Sequence, residues 1–335
     1  LLVFGIGLIG MEFATIFTNA MLPTLGPRDE IGRISGSGWA LGYVGGVIAL
    51  IAMLTLFAEN AQGVTLIGIA PIFGLDAALR EGTRFVGPFT ALWYIVFMVP
   101  FFLWVKPVRR VATTLVPAGA ALRRLATTLR SLPQRPGFAA YLGSSMMYRD
   151  ALNGLYTFGG IYTAGVLGWT VVDIGVFGIL AAVTGAIFAW LGGRADRARG
   201  PKPVIVTCVV ILTLVSLLAI TVTRGTVLLI PVAEGSALPD IAFYVLGAVI
   251  GAAGGALQAS SRTMLVRLGV VDHVTEGFGL YALAGKATAF IAPLSIGFVT
   301  YLSGSQQIGI LPIVGLFIIG LVLLIWVKPE GEVAP

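Results

Sequence analysis

Four ionisable side chains stand where a chain of this composition holds charge least easily. Glu12, Arg149, Asp150 and Lys286 each lie inside an apolar run, and only 11% of the 335 residues are charged. An ionised group in such surroundings is costly unless it meets a partner or a wet cavity, so each marks a place for an ion, a proton or a charged solute. Glu12, Thr15 and Asn19 recur at i, i+3 and i+7 and share one helical face. Arg149, Asn153 and Tyr156 share another, Asp150 and Thr157 lie beside it, and Lys286 follows Tyr281 by five residues. One chemistry open to them is capture of a solute carboxylate by Arg149 or Lys286, with Asp150 or Glu12 carrying a proton. Equally open is a structural ion pair, Asp150 with Lys286 or Arg149 with Glu12.

The elements that position these groups must be membrane spans. Hydrophobic residues make up 57% of the chain, and the polar ones cluster, leaving apolar runs of about 20 residues. Backbone groups inside a bilayer must be satisfied internally, and runs this long and continuous do so as helices rather than as a barrel. The expected fold is therefore an all-α, polytopic membrane bundle. Nine spans are expected near 2–22, 37–57, 86–105, 139–163, 171–191, 203–223, 241–262, 277–301 and 307–327. With the basic connection 106–137 placed inside, alternation puts two Lys/Arg in 23–36, seven in 106–137, four in 192–202, two in 262–276 and one in the tail on that side. The other side holds three, Arg80, Arg84 and Arg224, so the positive-inside rule is satisfied.

Other classes fall away on composition. The lone Cys208 offers no disulfide, and the single His273 has no companion for zinc. The net charge of +6 is topological rather than a nucleic-acid footprint. The glycine-rich stretches lack the strand-then-helix setting and the Lys-Ser/Thr ending that cradle phosphate. No paired catalytic constellation is present, so neither an enzyme nor a cofactor is expected. Gly247, Gly251, Gly254, Gly255, Gln258 and Arg262 form a stripe whose small members suit close helix packing, with Gln258 able to reach a cavity.

The chain also repeats itself. MLPTLGPRDEIGRISGSGWALG at 21–42 and MLVRLGVVDHVTEGFGLYALAG at 264–285 match without a gap at Met21/Met264, Leu22/Leu265, Leu25/Leu268, Gly26/Gly269, Asp29/Asp272, Gly36/Gly279 and Gly42/Gly285. The two copies join equivalent spans six apart, the mark of two parallel halves. Six spans per half leads to the expectation that about three helices precede residue 1. The expected divisions are 1–105 for the last three helices of an N-terminal half, 106–137 for a basic linker, 138–328 for a complete six-helix half and 329–335 for a tail. In the linker, RRVATTL at 109–115 recurs as RRLATTL at 123–129, which fits either a membrane-surface helix broken near Pro117 or a solvated tether. The stretch GVTLIGIAPIFGL within 58–85 is too short to span and is expected at the interface or folded over the mouth.

The stretch GGRADRARGPK at 192–202 resembles the cytoplasmic signature of the major facilitator superfamily, Gly-x-x-x-Asp-Arg-x-Gly-Arg-Lys/Arg. Gly192, Asp196, Arg197, Gly200 and Lys202 fit it, although Arg199 displaces the second glycine by one position. FTNAMLP with GRISGSGWALGYVGG, REGTRFVGPFTALW, YTFGGIYTAGVLG, and LQASSRTMLVRL followed by GFGLYALAGKATAF resemble a narrower branch, the vacuolar amino-acid effluxer-like (autophagy-related effluxer-like) family. The resemblance implies a twelve-helix permease working by alternating access, monomeric, seated in a bacterial cytoplasmic membrane. It implies transport of a small solute such as an amino acid, with efflux the expected direction and a proton as candidate coupling ion. A non-transporting receptor on the same fold is the alternative. Within that reading the substrate and coupling candidates are Glu12, Asn19, Arg149, Asp150, Asn153, Gln258 and Lys286. Asp196 is expected to face the N-terminus of a helix starting near Gly36–Trp39 and latch the cytoplasmic side, unless the basic residues around it only set topology.

Overall fold

The computed structural model describes residues 2–105, 118–268 and 274–328. The first linker heptad with Pro117, the segment 269–273 with Asp272 and His273, and the tail 329–335 lie outside the described residues. Apolar sequence becomes helix throughout: α1 (Leu2–Ala20), α2 (Ile31–Ala52), α3 (Glu81–Arg84), α4 (Val86–Trp104), α5 (Ala118–Ser131), α6 (Pro136–Val166), α7 (Val171–Arg199), α8 (Pro201–Ile220), α9 (Leu238–Leu268), α10 (Val274–Ala287), α11 (Ile291–Ser303), α12 (Gln306–Gly309) and α13 (Leu311–Leu324). A two-residue hairpin pairs β1 (Thr226–Val227) with β2 (Ile230–Pro231). Among the described residues, eight helical segments are long and apolar enough to cross a membrane. The remaining expected span, the fourth, is α6, whose 31 residues are ample in length but carry Arg149, Asp150 and many small polar side chains.

Three boundaries differ from expectation, each for a local reason. Helix α2 begins at Ile31, six residues before the apolar run at 37, because its polar first turns lie against other helices. The signature stretch is helical to Arg199, and only Gly200, at φ 83°, turns the chain into α8. The eighth expected span is two helices, broken between Ala287 and Ile291. Pro293 is the cause: it has no N–H to give, and its ring would clash with the carbonyl four residues back.

The chain divides into two compact units, residues 44–123 and the remainder. In the larger, α6 to α13 surround a core built on Tyr141, Tyr148, Leu152, Leu212, Leu257 and Phe317. The glycine stripe of α9 is a packing seam: a Cβ on Gly251 would lie 2.1 Å from the Ala181 carbonyl oxygen, and one on Gly255 2.4 Å from that of Gly185. Only glycine allows α7 and α9 to come this close. The repeated frame also has a structural counterpart. Helix α2 starts at Ile31 and α10 at Val274, the same position in the two copies.

Opposite ends of this unit gather opposite sets of connections. At one end the Arg224 guanidinium reaches the Leu167 carbonyl and Asp240 (2.8 Å), and the Trp169 indole N–H also donates to Asp240. Gln307 donates to Ile220 O on the same side. At the other end lie the basic connections described below. This separation of connections 164–170, 221–237 and 304–305 from those around residues 28, 200 and 267 is the alternation that the charge bias requires.

In the smaller unit the segment after α2 folds back on its own aromatic cluster, Phe57 stacking on Phe85 with ring centroids 4.8 Å apart. The buried Glu59 carboxylate accepts from the Thr83 hydroxyl (2.7 Å), the Thr83 amide (3.0 Å) and Arg80 Nε (3.3 Å). It thus sits on the first turn leading into α4, where amides are otherwise unpaired. Burial opposes ionisation, but these hydrogen bonds and the Arg80 charge outweigh it and hold the carboxyl below its ordinary 4.5. A lowered folded pKa means that the stabilisation is complete above about 4.5 and disappears as pH falls through the lower folded value. Hydrogen exchange across 58–85 is expected to rise in that acidic window and to be high at every pH in Glu59→Gln. Equal acid sensitivity in the two proteins would show that Glu59 does not organise the segment.

Candidate functional site

Two polar clusters join helices that are distant in sequence, and both lie within the larger unit. The first is at the level of the spans. Lys286 on α10 meets Glu12 on α1 at 2.8 Å. Arg149 on α6 donates from Nη1 to the Tyr281 carbonyl (2.8 Å), and its guanidinium lies over the Tyr281 ring at 4.0 Å. Asp150, 1% exposed, accepts from the Ala292 amide (3.0 Å) in the first turn of α11. Neither ion pair anticipated from the sequence, Asp150 with Lys286 or Arg149 with Glu12, is formed. Consecutive residues of a helix point about 100° apart, so Arg149 lies on α10 while Asp150 is directed to the break before α11. The amine of Lys286 turns the other way, toward α1. Asn153 is exposed on α6, the Tyr156 hydroxyl one turn on lies against Gly254 of α9, and Gln258 is half-buried on α9. Neither Asn153 nor Gln258 makes a side-chain hydrogen bond with the cluster among the described residues.

The second cluster closes the basic end. Asp196 is fully buried, and its Oδ1 accepts from Ser260 Oγ at 2.8 Å. Its side chain packs on the first turn of α2, where a Cβ on Gly32 would lie 2.5 Å from Asp196 Cβ. The expected apposition of carboxylate and helix start is therefore displaced to Gly32, because α2 starts earlier than its apolar run. The hydrogen bond goes to Ser260 of α9 rather than to an α2 amide. One turn on, a Cβ on Gly36 would sit 2.5 Å from the Ala189 carbonyl oxygen and 2.7 Å from Gly193 Cα.

Charge fastens the edges of this contact. Glu30 stands 2.7 Å from both Arg33 and Arg197, and Arg28 donates to the Arg267 carbonyl (3.0 Å). Lys202 of the signature caps the end of α13, its Nζ 2.6 Å from the Val327 carbonyl, where a cation meets the negative pole of a helix. Gly192 lies against Ala256 of α9, and Gly200 lies beside Arg267, so each signature glycine marks a close approach.

Sequence reasoning missed the residue that joins most of these elements. Arg262 on α9 donates from Nη1 to Asn19 Oδ1 (3.0 Å) and from Nη2 to the Ser35 carbonyl (2.6 Å), with its guanidinium 4.6 Å from the Trp39 ring centroid. Ser35 Oγ in turn donates to Ala259 O at 2.8 Å. Asn19, read from the sequence as a solute or coupling candidate, is here a partner of Arg262. The available signal was spacing: Gly251, Gly255, Gln258 and Arg262 continue one face of α9, so a face that packs on other helices ends in a cation.

Asp196→Asn keeps the shape and the bond from Ser260 while removing the charge. One carboxylate oxygen already lacks a partner, so the fold is expected to survive, and the attraction to the positive first turn of α2, about 0.3–1 kcal/mol, is lost. Cysteine labelling at the basic end is expected to rise severalfold, and any flux to fall. Unchanged labelling would leave the stretch with a topological role only.

A family model for Atg22-like vacuole effluxers matches residues 1–332. An uncharacterised MFS-type transporter of Bacillus subtilis is 24% identical over 98% of this chain and 71% of its own length. Autophagy-related protein 22-1 of Neosartorya fischeri is 22% identical over 80% of this chain, which spans 43% of that protein. Among solved structures, the fucose:proton symporter of E. coli superposes with a TM-score of 0.64 at 14% identity, covering 92% of this chain and 71% of that one. A major facilitator structure in an outward conformation gives a TM-score of 0.59 at 13% identity over 92% of this chain and 70% of that one. At these identities the structures speak for the fold alone, and the fold is that of a major facilitator. With the family model covering nearly every residue, the chain belongs to the Atg22-like effluxer family of MFS-type transporters.

Proposed function

We propose that this chain forms most of a secondary carrier that moves a small solute across a bacterial cytoplasmic membrane by alternating access, with amino acids the first class to test and efflux the expected direction. The protein works as a monomeric permease and not as an enzyme. Residues 1–105 belong to one half, 138–328 form the other, and 106–137 tether them. The observation that carries this reading is the closure of the basic end by Arg262, Asn19, Ser35 and Trp39. These are polar contacts between α9 and α1–α2, each worth about 1–3 kcal/mol. A sum of a few kcal/mol suits a contact that must open in every cycle.

Near the middle of the spans, Arg149, Asn153 and Tyr156 supply a cation and hydrogen-bonding groups suited to a carboxylate-bearing solute. Lys286 and Glu12 form a second polar pair toward α1. The test is counterflow in proteoliposomes loaded with an unlabelled amino-acid mixture and presented with the same mixture in radiolabelled form. Accumulation that saturates and disappears in Arg149→Ala supports the carrier with this class of solute. Saturable binding without accumulation would favour a receptor on the same fold.

A further inference from the structure

The break in the eighth span is held from both sides by two consecutive residues of α6. Arg149 engages α10 through the Tyr281 carbonyl, and Gly285 one turn later leaves room for it, since a Cβ there would lie 2.7 Å from the guanidinium carbon. Asp150 holds α11 through the Ala292 amide. The cation thus lies along the C-terminal half of α10 and the anion at the start of α11, the placement that the two helix dipoles favour. Gly154 brings α6 close enough that a Cβ on it would be 2.9 Å from Ala292 Cβ, so the contact is tight as well as polar.

The Asp150 carboxylate is nevertheless under-satisfied. Its Oδ1 is buried with no hydrogen-bond partner, and Oδ2 has the single amide. Among the described residues no cation faces it: Arg149 is turned onto α10, and Lys286 is occupied by Glu12. Tyr281 is covered by the Arg149 guanidinium, and α11 and α13, which pack on this stretch of α6, contain no charged residue. Arg262 of α9 is engaged by Asn19 and Ser35. The open Oδ1 is a buried acceptor at which a proton can bond.

We infer that Asp150 is a proton-binding clasp on the broken eighth span: ionised, it grips the first turn of α11, and protonated, it lets α10 and α11 move against each other. A proton from the aqueous side bonds to Oδ1, and the amide of Ala292 then donates to a neutral acid. Hydrogen bonds to neutral acceptors are about half as strong as those to charged ones. In a carrier this would link proton binding to helix movement, so the inference rests on the proposed transport function, although its test does not require flux.

The experiment is hydrogen exchange across 288–296 in the purified full chain in nanodiscs, followed against pH and corrected for the intrinsic pH dependence of exchange. In the wild type, protection is expected to fall about tenfold as Asp150 takes up its proton, the loss of one charge-assisted bond. Lys286→Met, which removes the partner of Glu12 but leaves Asp150 intact, is expected to keep this transition. Asp150→Asn is expected to show low protection with no transition. A flat wild-type profile, a transition lost in Lys286→Met, or one retained in Asp150→Asn would each overturn the clasp. Failure of counterflow with the transition intact would instead count against transport alone.

Discussion

Arg262→Ala is expected to open the basic end of the bundle without unfolding it. The substitution removes the bonds to Asn19 Oδ1 and the Ser35 carbonyl and the contact with the Trp39 ring. Two bonds from a charged donor at about 1.5–3 kcal/mol each, and a cation–π contact of about 0.5–2 kcal/mol, set the scale of the loss. Part is returned by water reaching the freed groups. A net change of about 3 kcal/mol shifts a two-state equilibrium by roughly a hundredfold. Ala40, buried with Ala189 and Ala259 in the contact between α2, α7 and α9, offers the reporter. In a Cys208→Ser background, Ala40→Cys is expected to label slowly, and to label about a hundredfold faster once Arg262 is also alanine. Arg262→Lys should fall between, because an ammonium keeps the charge but cannot span both acceptors as the planar fork does. Unchanged labelling with normal thermal stability would show that Arg262 does not hold the end shut.

How much of this was readable without coordinates depends on what one dimension encodes. The spans and their sides follow from apolar run length and the distribution of Lys and Arg, and the connections around residues 28, 200 and 267 do come together. The repeat at 21–42 and 264–285 marks two equivalent connections six spans apart, but the starts expected near 37 and 277 are out of register, and it is the structure that begins α2 and α10 at the matching Ile31 and Val274. Which helices become neighbours is not written in spacing. Glu12 and Lys286 are 274 positions apart and pair because α1 and α10 pack together, and nothing in either local pattern names the other. The same limit hid the hydrogen-bond partners of Arg149 and Asp150, the Tyr281 carbonyl and the Ala292 amide, because a backbone group leaves no residue type to recognise. The break before α11 did leave a signal in Pro293, inside a run long enough to be taken as a single helix. Glycine was ambiguous for another reason: Gly36 and Gly251 are both sites of close approach, but only the structure distinguishes the contacts that they permit.

That distinction gives the other large effect. A methyl group on Gly251 would meet the Ala181 carbonyl oxygen at 2.1 Å, in the seam where α7 and α9 bury each other along their length. A methyl group on Gly36 would meet the Ala189 carbonyl oxygen at 2.5 Å, where the start of α2 rests on the end of α7. Both obstacles are backbone atoms, so neither is relieved by a rotamer change, and overpacking of this kind costs about 1–3 kcal/mol. The difference lies in what can yield. Around Gly251 the neighbours are core, and the cost falls on folding: Gly251→Ala is expected to lower the melting temperature by several degrees and leave Ala40→Cys labelling unchanged. Around Gly36 the contact is the one proposed to open during transport, so the strain is relieved by opening. Gly36→Ala is expected to leave melting nearly unchanged and to raise Ala40→Cys labelling roughly ten- to a hundredfold, the same free energy read as a conformational shift. Because Gly36→Ala removes no charge and no hydrogen bond, agreement with Arg262→Ala would identify loosening of the contact itself as the cause. If Gly36→Ala destabilised the fold as Gly251→Ala does, with no change in labelling, this end of the bundle would be a fixed part of the core and could not be a gate.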